Sequence, residues 1–519
     1  MDKERNNSFL IFAIVLAGFM AWQYLRAPGS HPASVGVSTT APVPAAAAVS
    51  VKRETHQIAV SSGSVVVANS GPIIAGWELS TYHKQGVPGH EGKVEIPAPE
   101  RETLEDLVGG PAVELGFDSN DYLYLKSAAG KQEIEGNGVV WRYEDAKVKI
   151  TRRIEASKDQ PYANVAVLAE FKAAPPKFAF LSVEGRAAGN RALDADRKVF
   201  YQSGSHAESL NVTKKLDEAG MSPGGVHWIA SVDRYFALAV VPQKPNDVKA
   251  VMQTIGDQQQ QVSLVYPLKD KTLDLSARVF FGPKKLEILK GIEPSLDQSI
   301  DFGWFTVFAY PLFRIMKWLY GFAKNYGVAI ILLTILVKLV TYPLTYKSMK
   351  NMRQMAVLNP QIQKLREKFK DDPQRLNREM MMFMKTHGYN PVMGCVPMLI
   401  QMPIFFALYR VLYSSVELYQ APFMLWISDL SVKDPFYVTP VLLAVTMFAQ
   451  QKITPSAAAD PMQQKMMQFM PLVFGAMMLN LPSGLTLYML VNALASIVQQ
   501  VFLNRKLGMP NGRTAAAGA

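Results

Sequence analysis

The sequence predicts a multi-domain membrane protein: an N-terminal transmembrane anchor, a large antiparallel β-sandwich outside the cytosol, and an α-helical core of five spans with a cytosolic helical hairpin. Three observations predict it. Apolar residues, 49% of the 519-residue chain against 19% charged, concentrate at the extreme N-terminus and after about residue 300. The long stretch between them alternates apolar and polar residues at period two. The net charge of +11 is spread over loops between apolar segments, which reads as membrane topology and not as a nucleic-acid footprint. The lone cysteine, Cys395, excludes an internal disulfide and any multi-cysteine metal site.

Residues 1–26 read as the anchor. The apolar run Phe9 to Leu25 follows Lys3 and Arg5, is long, and meets no small-x-small cleavage pattern, which favours an anchor over a signal peptide. Residues 27–54, rich in Ala and Pro, form a flexible linker because nothing in them can build a core. Residues 55–298 carry the strand signals, for example Lys147 to Thr151, Asn164 to Phe171 and Thr272 to Phe280, separated by Gly and Pro as at Gly109-Gly-Pro111 and Ala174-Pro-Pro176. Such patterning suggests a β-sandwich. His83, His90, His206 and His227 offer acid-base chemistry, but no spacing selects one, so a folding and docking domain is the preferred reading. Residues 299–324 are aromatic, with Pro311, Arg314 and Lys317, and suit an amphipathic helix lying in the membrane interface.

The core, residues 325–503, holds apolar segments near 327–346, 397–416, 437–453, 466–481 and 483–503, each close to the length that crosses about 30 Å of hydrocarbon. Residues 347–387 contain ten basic and four acidic side chains, whereas residues 417–436 contain Glu417, Asp429 and Asp434 against Lys433 alone. Positive-inside then places residues 347–395 and both termini in the cytosol and the β domain outside it. Within 347–395, Met349, Met352, Met355, Leu358, Ile362, Leu365 and Phe369 draw one apolar stripe on a basic helix that Pro360 is expected to kink or restart. Asp372-Pro373 caps a second helix ending near His387. The result is a helical hairpin whose basic face suits ribosomal RNA, anionic lipid or simple solvation. Residues 504–519 form a cytosolic tail with Arg505, Lys506 and Arg513.

Lys338 is the main functional lead. It lies inside the apolar run Val328 to Tyr342, where a charge costs about 2.5 to 3.5 kcal/mol unless it faces water, a partner or a protein interior. Thr334, four residues earlier, shares its face. In the last segment Tyr488, Asn492, Ser496 and Gln499 step by four, four and three and form a second polar stripe, and Gln401, Gln450 and Gln451 extend the polar wall. Converging stripes would enclose a wet, positively charged groove; the alternative is that each side chain hydrogen-bonds a neighbour and holds helices together. Methionine, with 20 of 25 beyond residue 346, suits surfaces that accept varied apolar partners as well as ordinary packing. No P-loop, His-Glu-x-x-His or Gly-x-Ser-x-Gly occurs, so neither catalytic residues nor a cofactor or metal site are expected and the chain is read as no enzyme. An ion-coupled membrane transporter is the competing reading, but no Asp or Glu lies inside the five segments.

A set of short motifs occurs in order: Tyr342-Pro-Leu-Thr345, Leu358-Asn-Pro360, Asn390-Pro391, Gly394-Cys-Val-Pro397, Gln401-Met-Pro-Ile-Phe405, Ala421-Pro-Phe423, Asp460-Pro-Met-Gln-Gln464, Phe469-Met-Pro471 and Pro482-Ser-Gly-Leu485. Over residues 300–503 the chain resembles the YidC/Oxa/Alb membrane protein insertases, and its anchor and β domain resemble the Gram-negative form. That resemblance implies an inner-membrane, multi-pass insertase and chaperone with a periplasmic supersandwich-like domain. Its implied partners are nascent membrane proteins, the Sec translocon, membrane lipids and, transiently, the ribosome, with the chain acting alone or beside the translocon as a monomer. It also implies a substrate groove with a basic residue, commonly arginine, at the place of Lys338. Lysine there keeps the charge but loses the bidentate fork. Thr334, Gln401, Tyr488, Asn492 and Ser496 are the other expected groove residues, while Met489 stands where a second aromatic often follows Tyr488, and Arg410 is unusual.

Overall fold

The computed structural model describes residues 55–507 apart from 62, 84–100, 104–112, 158, 186–197, 210–211, 214–221, 256–258, 269, 303–304, 370–371, 388–390 and 454–460. The expected anchor (1–26), most of the tail (508–519), the linker (27–54), His90 and the Gly109 punctuation lie outside the described residues. The described residues fall into two compact units, one up to Ile300 and one from Asp301.

Among the described residues, the first unit is built on three sheets, of four, five and nine strands. The nine-stranded sheet runs, in spatial order, Ala207–Ser209, Lys198–Gln202, Trp228–Val232, Phe236–Pro242, Thr272–Pro283, Tyr162–Phe171, Val148–Ala156, Gly138–Glu144, Lys131–Glu135. The three stretches read as strands in the sequence form three consecutive strands of it. Their alternation is realised as burial: Val148, Ile150, Arg152 and Ile154 face inward, with Lys149, Arg153 and Glu155 outward. On the outer face an ion ladder links Arg142 to Glu133 and Glu135, and Arg153 to Glu135 and Glu155. On the inner face Phe117, from the five-stranded sheet, meets the edge of Phe171 with centroids 5.5 Å apart, so the two sheets stack through aromatic rings. Pairing is antiparallel except for Val212–Thr213, which runs parallel to Lys249–Ile255. The unit ends in helix α1 (Leu286–Ile292), which covers Trp228, Ala239 and Phe280; alternation could not foresee this helix, since its seven residues are too few for a periodic signal.

The second unit is helical. Helix α2 (Thr306–Ala323) buries Ala309, Phe313 and Met316 at steps of four and three and exposes Val307, Phe308, Trp318 and Phe322 on its other side. Helix α3 (Tyr326–Lys368) starts at Asn325, whose side chain accepts from the Val328 amide. It continues through Pro360 without the expected restart. A proline interrupts only its own hydrogen bond and clashes with one carbonyl, and here Leu358 and Ile362 on either side are buried, which offsets that local loss. Helix α4 (Pro373–Thr386) begins as read from the sequence, with the Asp372 carboxylate accepting from the Arg375 amide 3.0 Å away. Helices α5 (Pro391–Ser414), α6 (Val438–Ile453), α7 (Pro461–Met478) and α8 (Ser483–Leu507) follow. Among the described residues, Tyr326–Asn351 and Ser483–Lys506 are long and apolar enough to cross a membrane, and Phe469–Met478 is a shorter apolar stretch.

Helices α3 and α8 pack side by side and run the same way. Lys338 contacts Ser496, and farther along Met349 and Leu503 share a cluster with Tyr342 and Tyr346. Between α5 and α6 the loop is stapled to the starts of both helices. Asn325 Nδ2 donates to the Phe423 carbonyl at 2.8 Å, and the Ser483 amide donates to the Val432 carbonyl at 2.6 Å. Gly327 permits this, because a Cβ there would lie 2.0 Å from the Phe423 ring. The buried Asp434 carboxylate collects the Trp426 indole, the Phe436 and Thr439 amides and the Thr439 hydroxyl, which caps α6.

Candidate functional site

Lys338 sits twelve residues into α3, about 18 Å along the helix, and Ser496 thirteen residues into α8, about 20 Å along. Parallel helices therefore bring the two to one depth. The Lys338 Nζ donates to the Ser496 Oγ at 2.7 Å, and that hydroxyl donates to the Asn492 carbonyl at 2.7 Å, one turn earlier on α8. Serine is suited to this relay, since its hydroxyl accepts from the ammonium while returning its own proton to the backbone. Lys338 is half-buried, and no carboxylate among the described residues stands within ion-pair distance of it. It is thus neither sealed in apolar packing nor neutralised by an acid.

The other expected residues divide. Gln401 on α5 lies near the buried Tyr488 hydroxyl, so a third helix borders the polar zone. Asn492 enters through its carbonyl. Thr334 is buried and its hydroxyl donates to the Ile330 carbonyl at 2.7 Å, which satisfies it within its own helix. Gln499, next on the stripe, has a buried amide nitrogen without a hydrogen-bond partner, and Gln451 a buried amide oxygen in the same condition. Buried amide groups of this kind are costly unless water or a ligand meets them.

Arg410, unusual by sequence, has its Nε 3.4 Å from the carbonyl of Phe302, and the rings of Phe305 and Phe406 stack beside it. This cation serves the junction of α5 with the segment leading into α2. Sequence reasoning missed a second such contact. Lys317 on α2 lies 3.6 Å from Glu417, a buried acid just past α5, and this explains a cation on the acidic side of the topology. The signal was present in composition, since Glu417 heads the acidic loop, but pairing across one hundred residues has no sequence periodicity.

Known proteins resemble this chain over most of its length. Residues 318–510 match the family described as 60Kd inner membrane protein, and residues 147–315 match the YidC periplasmic domain. The membrane protein insertase YidC of Geobacter metallireducens is 37% identical over 496 residues, covering 92% of this chain and 91% of that protein. The insertase of Geotalea daltonii is 45% identical over 304 residues, so that the chain spans 57% of its length, and 57% of this chain is covered. A crystal structure of an active YidC insertase covers 94% of this chain and 98% of its own at 18% identity, with a TM-score of 0.37. Two independent segment matches and a near full-length relative show that the chain belongs to the YidC family of membrane protein insertases, inner-membrane proteins with a periplasmic domain and no enzymatic activity.

Proposed function

We propose that this chain inserts and folds nascent inner-membrane proteins by receiving their short polar flanks in a groove lined by Lys338, Thr334, Gln401, Tyr488, Asn492 and Ser496. The observation that carries the reading is the half-buried Lys338 ammonium, held by a serine and not by a carboxylate. An unneutralised cation at mid-helix attracts acidic residues of an incoming flank, while the apolar part of the client partitions into lipid. Burial of some 20 apolar residues supplies the driving force, so no nucleotide is required. The groove lowers the barrier for the flank by offering polar partners where the bilayer offers none.

In the same reading, five spans form the core, residues 347–395 form a cytosolic hairpin, and both termini face the cytosol. The segment 1–26 anchors the chain, and the outer domain is a supersandwich-like scaffold. The exposed apolar face of α2, with Trp318 and Phe322, lies in the membrane interface. Sec translocon, ribosome and lipids are the partners this reading assigns, with the chain itself as a monomer.

Lys338→Arg, Lys338→Leu and Lys338→Glu test the reading in reconstituted liposomes. Arg should insert clients with acidic flanks as well as wild type does. Leu should fall roughly tenfold, the equivalent of about 1.4 kcal/mol, and Glu further still, with clients of neutral flank spared. Equal activity of all three would remove the cation from the mechanism. Crosslinks from positions 334, 338 and 488 to stalled nascent chains should map the same wall.

A further inference from the structure

The loop between α5 and α6 carries apolar side chains where the helices have already ended. Leu425 is 84% exposed, Met424 50% and Phe436 69%. Leu425 and Tyr437 also have positive φ, +55° and +56°, a left-handed conformation disfavoured for side chains of their bulk. Asparagine or glycine would relieve the turn and be more soluble. A strained, outward leucine at a loop tip is therefore informative, because such strain persists where the side chain has a use.

Its depth follows from hydrogen bonds. The turn closes from the Phe423 amide to the Ile427 carbonyl and from the Ile427 amide to the Met424 carbonyl. The Phe423 carbonyl accepts from Asn325, the N-cap of α3. From Tyr326 to Tyr346, α3 rises about 30 Å, one hydrocarbon thickness. Asn325, one residue before this stretch, thus lies at the boundary of the lipid core, and Met424 and Leu425 lie within two residues of Phe423, whose carbonyl it holds. Neighbouring elements also expose apolar side chains. Tyr320 of α2 stacks on Tyr326, next to exposed Phe322, and Phe436 leads into the exposed Val441, Leu442 and Val445 of α6. Lys433, whose ammonium lies 5.7 Å from the Tyr437 ring, supplies a cation at headgroup level.

We infer that the Phe423–Ile427 turn together with Phe436 is a lipid anchor that inserts into the outer leaflet of the inner membrane. The turn holds the start of α3 through Asn325, and Val432 and Asp429 of the same loop hold the start of α8 through Ser483, so the loop ties the helices bearing Lys338 and Ser496 to a set depth. The inference rests on membrane location and not on the groove, so it stands or falls separately from the client-insertion tests.

The test uses the full chain with Cys395→Ser and one probe cysteine, Leu425→Cys or Phe436→Cys, labelled with an environment-sensitive fluorophore. The protein is reconstituted in phosphatidylethanolamine–phosphatidylglycerol liposomes, and Lys131→Cys on the outer face of the β domain is the aqueous control. Lipids brominated at shallow acyl positions should quench both loop probes at least twofold while aqueous iodide leaves them unquenched; the control should show the reverse. Quenching of the loop probes by iodide, or by neither agent as for a protein-covered site, would overturn the proposal. Leu425→Asn guards against a purely structural explanation. It should leave the detergent Tm unchanged or raised and should weaken bromolipid quenching at Phe436→Cys; a lowered Tm with quenching intact would make Leu425 a packing residue and refute the anchor.

Discussion

Ser496 shows how one hydroxyl sets the state of a buried cation. It fixes Lys338 at 2.7 Å without neutralising it, as an aspartate would. Ser496→Ala should leave the fold intact but release the ammonium from its fixed position, lowering insertion of acidic-flank clients severalfold, the equivalent of about 1 kcal/mol for one net hydrogen bond. Ser496→Asp should abolish their preference, and client competition assays would report both. Lys338 and Ser496 were singled out in sequence because a polar residue in an apolar run stands out, but that the two meet was not foreseen. Thr334 was only half legible: its face was right, but the bond to its own backbone is invisible to spacing. Outside the membrane, Asp145 behaves differently. Partial burial pushes its carboxyl up, but bonds from the Tyr124 hydroxyl, the Val148 and Lys147 amides and the Tyr143 hydroxyl outweigh this and hold it below the usual carboxylate range. A carboxyl whose folded pKa is depressed contributes stability above its unfolded pKa and loses it as pH falls through the folded one. Asp145→Asn should therefore lower Tm at about pH 7 and narrow the gap between pH 7 and about pH 3, read by thermal unfolding of the full chain.

At the scale of elements, the clasp between the α5–α6 loop and the starts of α3 and α8 decides how the two site-bearing helices register. Gly327 is its tightest point, because an added methyl would meet the Phe423 ring at 2.0 Å. Gly327→Ala should cost about 1 to 3 kcal/mol by overpacking and lower the detergent Tm, with Phe423→Leu in the same chain restoring part of the loss. Helix α3 also shows where local rules fail. Proline predicted a kink or restart at Pro360, and the restart does not occur: a helix held by buried neighbours tolerates one missing hydrogen bond. The start of α4 was legible to the residue, since Asp372-Pro373 is a local signal needing no tertiary partner.

At the scale of the molecule, the periplasmic unit and the helical unit are each compact, and the proposed groove lies wholly in the latter. Replacing residues 55–290 by a flexible linker should retain most insertion of clients that need no translocon; loss of all activity with the core still folded would refute that division. The sequence by itself determined the β-then-helix order, the hydrophobic segments, the basic segment after residue 346 and the isolated lysine, because each arises from periodicity or from the cost of charge in lipid, both properties of neighbouring residues. Only the tertiary structure decided that Lys338 meets Ser496, that Lys317 meets Glu417 and that Phe423 lies on Gly327. Those contacts join residues about 100 or more positions apart, and their geometry comes from helix register and loop clasps that no local pattern encodes.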